Sequence, residues 1–451
     1  MAERDPERDR LSGRLTRFAS VGASLVGAGA KISANRLMAG EDERARSAKA
    51  LKAALGGLKG PLMKAAQMLA TVPDLLPPEF AAELGELQTN APSMGAPFVK
   101  RRMAAELGAD WRGRFDDFDL VAAHAASLGQ VHRARADGQD LAVKLQYPEM
   151  LSAVESDLSQ LRLIFSLYKR LDGSIDASEI AEEIGARLRE ELDYEREAKS
   201  MALYGAYFAD RPDIRIPKPV PALSTARLLT MTWLEGEGLM GFRTAPLEVR
   251  NRIARLLFDA WWRPMIRLGV IHGDPHLGNY ALTPDAEHLN LLDFGCIRLF
   301  SPRFVGGVVR LYRALSSGDR DEQIAAYESW GFKGLKPELV DTLNLWARFI
   351  YGPMLDDRVR TVADGVAPGQ YGRAEAFAVK TALKTHGPVT IPREFVFMDR
   401  AAVGLGAAFL HLGAELNWKA LFETSLEDFS QEGLAAAQKA ALDGVGLPVP
   451  S

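Results

Sequence analysis

Three oxygen-bearing side chains, Asp274, Asn279 and Asp293, stand at a spacing that suits phosphoryl chemistry. They lie in Val270-Ile-His-Gly-Asp-Pro-His-Leu-Gly-Asn279 and in Leu291-Leu-Asp-Phe-Gly295, with Asp293 placed 14 residues after Asn279. Such chemistry needs a carboxylate to orient or deprotonate the acceptor. It also needs hard oxygen ligands to hold Mg2+ against phosphates. Asp274 can play the first part, and Asn279 with Asp293 the second. Taken alone, the Asp-Pro-x-x-x-Asn run also fits a turn closed by an Asx motif, and an Asp-Phe-Gly triplet by itself is a weak signal. The two together, joined by an apolar strand, are much harder to obtain by accident. His272 stands where a structural histidine would brace the loop, and His276 either touches phosphate or braces the same loop.

The spacing of His272, Asp274 and Asn279, followed by Asp-Phe-Gly, is that of a kinase catalytic loop and its metal motif. Ala142-Val-Lys144 closes an apolar strand, where a lysine would hold the α- and β-phosphates. A surface lysine at a strand end is the plainer alternative. Just upstream, His124-Ala-Ala-Ser-Leu-Gly-Gln130 sits where a nucleotide-covering loop should be, although no G-x-G-x-x-G occurs there. Ala125, Ala126 and Ser127 are small enough for close approach to phosphates. Alanine resists the positive φ angles that glycine reaches, so a stiffer loop with a different phosphate grip is expected.

Ser178–Ser200 reads as one helix carrying Glu190, Glu191, Asp193, Glu195 and Glu197. These form either a solvated acidic face or a set of partners for cations. Glu191 with Glu195, and Asp193 with Glu197, stand four apart, where like charges repel. Lys144 and Lys64 are the candidate compensating cations. Lys64 and Gln67 share a helix face, and Ala65 with Ala66 between them would let that helix approach another surface. Packing of an ordinary surface helix explains the same residues.

The elements that must position these groups follow from periodicity and turn chemistry. Leu128–Ala134 and Leu141–Leu145 read as strands joined through Asp137-Gly138. Arg227–Trp233 reads as a further strand, and Glu235-Gly-Glu-Gly238 resembles a hinge. Helix is expected over 246–268, with a kink at Pro264, and over nearly everything after Phe300. The expected organisation is a tail over 1–35, a helical extension over 36–117 and a small nucleotide-binding lobe with inserted helices over 118–235. A helical lobe over 236–445 carries the catalytic and metal-binding loops, and 446–451 is a tail.

The 451-residue chain has 47 % hydrophobic and 25 % charged residues, as a globular protein does. A net charge of −4 without a basic stripe gives no nucleic-acid signature. The single cysteine, Cys296, excludes an intramolecular disulfide and a cysteine-built zinc site; it reads as a small packing residue. No apolar run reaches the roughly 18–20 residues a transmembrane helix needs. Phe18–Ile32 reads as a small-residue helix or a mobile tail, or else as an interfacial helix with Leu25, Val26 and Ile32 dipping into lipid.

Together these residues resemble the UbiB/AarF family of atypical, protein-kinase-like proteins. The family's K-x-G-Q motif corresponds to Lys64-Ala65-Ala66-Gln67, with Ala66 in the glycine position. Its A-A-A-S loop corresponds to His124-Ala125-Ala126-Ser127, with His124 replacing the first alanine. Its strand lysine falls on Lys144, its E-x-D motif on Glu191-Leu192-Asp193, and the glutamate paired with the lysine on Glu197. Leu277 stands where many members have proline.

The resemblance implies an α+β, protein-kinase-like, two-lobed fold with an N-terminal helical extension and a predominantly helical C-terminal lobe. It implies Asp274, Lys144 and Glu197 as catalytic, and Asn279 and Asp293 as metal ligands. Ala125, Ala126, Ser127, Lys144 and the hinge residue Glu235 would bind the nucleotide. Lys64, Gln67, Glu191 and Asp193 would gate the site. The implied cofactors are ATP or ADP with Mg2+. The implied activity is that of an ATPase or a small-molecule or lipid kinase supporting ubiquinone biosynthesis, with an isoprenoid lipid or quinone intermediate and biosynthetic enzymes as partners. A cytoplasmic location with peripheral contact on the inner face of the membrane is the matching expectation. A nucleotide-switched lipid-binding or scaffold protein, and an aminoglycoside- or choline-kinase-like phosphotransferase, are the alternative readings.

Overall fold

The computed structural model describes residues 94–125, 128–155, 158–159, 178–274, 276–367, 371–386 and 393–450. These divide into two compact units. One contains the described residues up to Glu197 together with Pro219–Trp233, and the other contains Ala198–Lys218 and the described residues from Leu234 on.

The first described helix of the first unit is α1 (Ala96–Leu107), followed by strands β1 (Asp117–Phe118), β2 (His124–Ala125), β3 (Gly129–Ala136) and β4 (Gln139–Gln146). Helix α2 (Ser178–Glu191) follows, then α3 (Tyr194–Tyr207), within which the division between the units falls. After β5 (Ile214–Arg215) the chain returns as β6 (Leu228–Thr232) to complete a five-stranded sheet ordered β1-β3-β4-β6, with β2 also on β3. The β3–β4 hairpin turns on Asp137 and Gly138, whose φ angles are +50° and +74°. Positive φ at both central residues matches the right-handed twist of the flanking strands, which is why Asp-Gly makes a tight hairpin. One sheet face is core. Ala134, Leu141, Val143, Leu145 and Leu228 pack there with Phe98, Val99 and Met103 of α1 and with Trp111 and Phe115.

The second unit contains β5, then β7 (Glu237–Gly238), α4 (Leu247–Leu268), β8 (Val270–His272), β9 (Tyr280–Leu282), β10 (Leu289–Leu291) and β11 (Ile297–Leu299). Strands β5-β10-β9-β7 form a small sheet, and β8 pairs with β11. Next come α5 (Pro302–Ser317), α6 (Arg320–Ser329), α7 (Pro337–Leu355), β12 (Val359–Arg360), α8 (Arg373–His386) and α9 (Arg393–Leu412). The last elements are β13 (Leu416–Asn417), which pairs with β12, then α10 (Trp418–Ser425) and α11 (Gln431–Val445).

Helix α4 is amphipathic and buries Ile253, Leu257, Trp261, Met265 and Ile266. It runs through Pro264 as one element and ends at Gly269, which is left-handed at φ +63°. A Cβ on Gly269 would lie 2.6 Å from the Phe300 carbonyl oxygen, so glycine both turns the chain and lets it pass. The buried Gln438 of α11 donates to the carbonyls of Leu268, at 2.7 Å, and Phe300, at 2.8 Å. These bonds tie the end of α4 to the end of β11 and so fix the start of β8, which leads to Asp274 and Asn279.

The acidic stretch differs from the single helix expected. It breaks at Leu192–Asp193 into α2 and α3. The amides of Leu192 and Asp193 bond back to Arg189 and Glu190 at 3.2 and 3.1 Å, closing α2 in a tightened turn. Asp193 then caps α3, its carboxylate accepting from the Arg196 amide at 2.9 Å. Capping by a short acidic side chain offsets the orphan amides of a helix start, and the break puts Glu191 and Glu195 on different helices.

Candidate functional site

In the first unit the register of the sheet assembles a second face. Lys144 pairs with Val131 on β3 and Leu229 on β6, and Ala142 pairs with Arg133 and Met231. Directly paired residues share a face, and so do residues two apart along a strand. Val131, Arg133, Ala142, Lys144, Leu229 and Met231 therefore stand on one side, opposite the α1-packed core. Close strand approach at one end depends on Gly129. A Cβ there would lie 2.3 Å from the Leu145 carbonyl oxygen and 3.0 Å from the Tyr194 hydroxyl.

Lys144 is held from α3. Its Nζ donates to both oxygens of Glu197, at 2.8 and 2.9 Å. The Glu197 side chain is only 1 % exposed and that of Lys144 13 %. The ammonium also lies 5.2 Å from the centroid of the Tyr194 ring, within range of a cation–π contact. Around this pair, Gln146 Nε2 donates to the Leu192 carbonyl at 3.0 Å, joining β4 to the α2–α3 break. Glu190 pairs with Arg187 at 2.7 Å and Arg196 at 3.7 Å. Glu190 is thus met by one arginine from α2 and one from α3, and Lys144 pairs with Glu197.

In the second unit β8 leads into the segment that carries Asp274 and Asn279. The ring Nε2 of buried His272 hydrogen-bonds the Asp293 carbonyl oxygen, and the Gly273 amide donates to the Cys296 carbonyl at 2.8 Å. These bonds lock the two motifs together. A Cβ on Gly273 would meet that same carbonyl at 2.6 Å. Trp261 of α4 donates its indole N–H to the His272 carbonyl at 3.2 Å. Phe294 is fully buried, with its ring 5.3 Å from that of Tyr204.

The donor set here fits a hard divalent cation. Asn279 Nδ2 donates to the Asp274 carbonyl at 2.8 Å, which fixes the amide and turns its Oδ1 to the opposite side. Asp293 Oδ1 accepts from the Gly295 amide at 2.9 Å, which sets the carboxylate plane. One carboxylate and one oriented amide oxygen are ligand types suited to Mg2+. Burial, with the Asp274 charge second, raises the pKa of the Tyr280 hydroxyl and keeps it neutral beneath this loop.

Among the predicted residues, Lys144 and Glu197 are in contact, and Asp274, Asn279 and Asp293 lie in one bonded segment. Ala125 sits in β2, opposite Gln130. Glu235 is exposed, and its main-chain oxygen accepts from Asn290 Nδ2 at 2.9 Å. Glu191 is half-buried at the end of α2, and Asp193 spends one oxygen on its helix cap. Lys64, Gln67, Ala126 and Ser127 lie outside the described residues, as does the expected tail over 1–35. The sequence reading missed Gly129, Val131, Met231 and Tyr194. Two-residue alternation counted outward from Lys144 is the signal that would have found Met231 and Val131, once the strands were in register.

A family model described as the ABC1 atypical kinase-like domain matches residues 86–327. The chain is 29 % identical over 273 residues to the mitochondrial atypical kinase COQ8 of Saccharomyces cerevisiae, a match covering 60 % of this chain and 54 % of that protein. It is 26 % identical over 447 residues to the mitochondrial atypical kinase COQ8B of Rattus norvegicus, covering 94 % of this chain and 82 % of that protein. The match thus spans about half the length of the yeast relative. Among solved structures, the complex of Rv3197 with erythromycin from Mycobacterium tuberculosis superposes with a TM-score of 0.59 at 26 % identity, covering 87 % of this chain and 98 % of that one. The fold is kinase-like, with mixed helix and strand. The chain belongs to the ABC1 atypical kinase-like family, the group of the UbiB, AarF and COQ8 proteins.

Proposed function

We propose that this protein binds ATP or ADP with Mg2+ and acts as an ATPase or as a kinase of a small molecule or lipid, in support of ubiquinone or a related isoprenoid lipid. The observation that carries the reading is the buried Lys144–Glu197 pair on the Val131–Ala142–Met231 face. A lysine so fixed presents its ammonium on a face with apolar neighbours. An ordinary strand-end lysine would wave in solvent. Phosphoryl chemistry needs a phosphate grip and a metal-holding loop; Lys144 would supply the first, and the segment from Asp274 to Asp293 the second.

In this reading the Lys144 ammonium binds α/β-phosphate oxygens and Glu197 keeps it in place. Asn279 Oδ1 and the Asp293 carboxylate hold Mg2+, which when bound neutralises charge on the phosphate oxygens. Asp274 orients the attacking hydroxyl or water and accepts its proton. Small residues at 125–127 allow close approach of the loop to phosphate, and Glu235 lies at the base-binding end. Lys64 and Gln67, with Glu191 and Asp193, gate access.

The lipid assignment is supported by the COQ8 relatives. The described residues hold no helix long and apolar enough to cross a membrane, and peripheral contact through residues 1–35 is part of the same proposal. Calorimetric titration of ATP into the full chain, with Mg2+ and with excess chelator, tests the nucleotide reading. Saturable, Mg2+-dependent binding that Lys144→Ala weakens at least about tenfold is expected. Absence of binding in Mg2+ overturns it.

A further inference from the structure

The alanine-rich loop has no large side chain to anchor it except one. From Ala122 to Ser127, His124 is the only residue larger than serine. It stands in β2, a two-residue strand that pairs with β3 through His124 opposite Val131 and Ala125 opposite Gln130. Pairing with Val131 puts His124 on the Lys144 face of the sheet. Its ring stacks with Trp233, at a centroid distance of 6.2 Å and an interplanar angle of 16°. Trp233 extends β6 by one residue, its amide donating to the Asp140 carbonyl at 2.8 Å. The Arg133 guanidinium lies 4.7 Å from the centroid of the Trp233 ring.

Strands β3 and β4 separate β2 from β6 in the sheet. The stack therefore spans the Lys144 face and staples the weakly paired stem of the loop to the far strand. We infer that His124 and Trp233, backed by Arg133, form a clamp that holds the stem of the alanine-rich segment, residues 123–125, on the Lys144 face and sets nucleotide affinity. They act as positioning residues and have no part in the chemical step. The inference rests on the nucleotide reading proposed above and adds to it a specific determinant.

The test compares wild type with His124→Ala, His124→Phe, Trp233→Leu and the double variant His124→Ala/Trp233→Leu, all in the full chain. Two readouts are used, amide hydrogen exchange over residues 123–125 without ligand and the nucleotide dissociation constant. An aromatic contact of this kind corresponds to about a 3–10-fold effect. His124→Ala is expected to speed exchange by about that factor and to raise the dissociation constant similarly, with kcat changed less than about twofold. His124→Phe should restore both, and the double variant should be no worse than either single one. Unchanged exchange in His124→Ala, or fully additive single effects, overturns the clamp. Faster exchange with an unchanged dissociation constant overturns its role in affinity. Wild type that binds no nucleotide overturns the nucleotide reading and this inference with it, whereas equal binding by wild type and His124→Ala overturns the inference alone.

Discussion

Both carboxylate oxygens of Glu197 lie within 3 Å of one atom, Lys144 Nζ, at 2.8 and 2.9 Å, although the two residues are 53 apart in sequence. Taking this pair out of water costs much of what the attraction returns. Its value lies in where it holds the ammonium, beside Tyr194 and on the face shared by Val131, Ala142 and Met231.

Removing one partner should therefore cost more than removing both. Lys144→Met removes the ammonium from a buried carboxylate, and a loss of about 3–5 kcal/mol in unfolding free energy is expected. Adding Glu197→Gln should restore more than half of that loss in denaturant melts while nucleotide affinity stays low. Equal stability of the single and double variants would show that the pair is not coupled.

Asn279 makes a sharper prediction about the metal. Its amide nitrogen donates to the Asp274 carbonyl, so Asn279→Asp sets a carboxylate oxygen against a carbonyl oxygen. The added charge alone would favour a cation, but the ligand loses the bond that orients it. The Mg2+ concentration needed for half-maximal nucleotide binding is expected to rise at least about tenfold. Tighter Mg2+ binding would mean that charge, not orientation, governs this position.

His132 predicts a pH dependence of folding. It is buried in β3, its Nδ1 donating to the Asp119 carbonyl at 2.8 Å, and its Nε2 lies 2.8 Å from Gln130 Nε2. Gln130 in turn accepts from the Met94 amide at 2.7 Å and donates to the Met94 carbonyl at 3.1 Å. Burial lowers the His132 pKa below 6.5, against a smaller raising effect of Asp119. The unfolded chain then binds the proton more readily than the folded one. This contribution to stability is fully present above pH 6.5 and is lost progressively as pH falls below it. Unfolding free energies measured from pH 8 to 5 should fall more steeply for wild type than for His132→Gln. Parallel curves would assign the acid sensitivity elsewhere.

Two glycines should respond with opposite signs. Gly129→Ala forces a Cβ to within 2.3 Å of the Leu145 carbonyl, and a loss of at least about 1–3 kcal/mol is expected. Gly205 is exposed within α3, and a Cβ there meets nothing within 4 Å. Gly205→Ala should stabilise by about 0.5–1 kcal/mol. Thermal melts of the two variants check both signs, and a neutral Gly129→Ala would contradict the close β3–β4 approach.

Much of the site could be read before the fold was known, for reasons visible in particular residues. Asp274, Asn279 and Asp293 lie close in the chain, so spacing alone relates them. Lys144 and Glu197 meet across a long separation; charge balance offered Lys144 as a cation for the acidic stretch, and the family resemblance named Glu197 as its partner. The break at Leu192–Asp193 has no glycine or proline to announce it. Its one local signal is Asp193 three residues before the amide that it caps. Met231 and Val131 follow from strand alternation, but their registers against β4 are set by tertiary pairing. The Asp-Gly hairpin was plain from sequence because its two positive φ angles are a local requirement.

The most direct test of the catalytic assignment is ATP turnover by the purified full chain with Mg2+, compared with Asp274→Asn under single-turnover conditions. The account predicts that turnover falls by at least about 10²-fold while ATP still binds. Equal turnover by wild type and Asp274→Asn would contradict it.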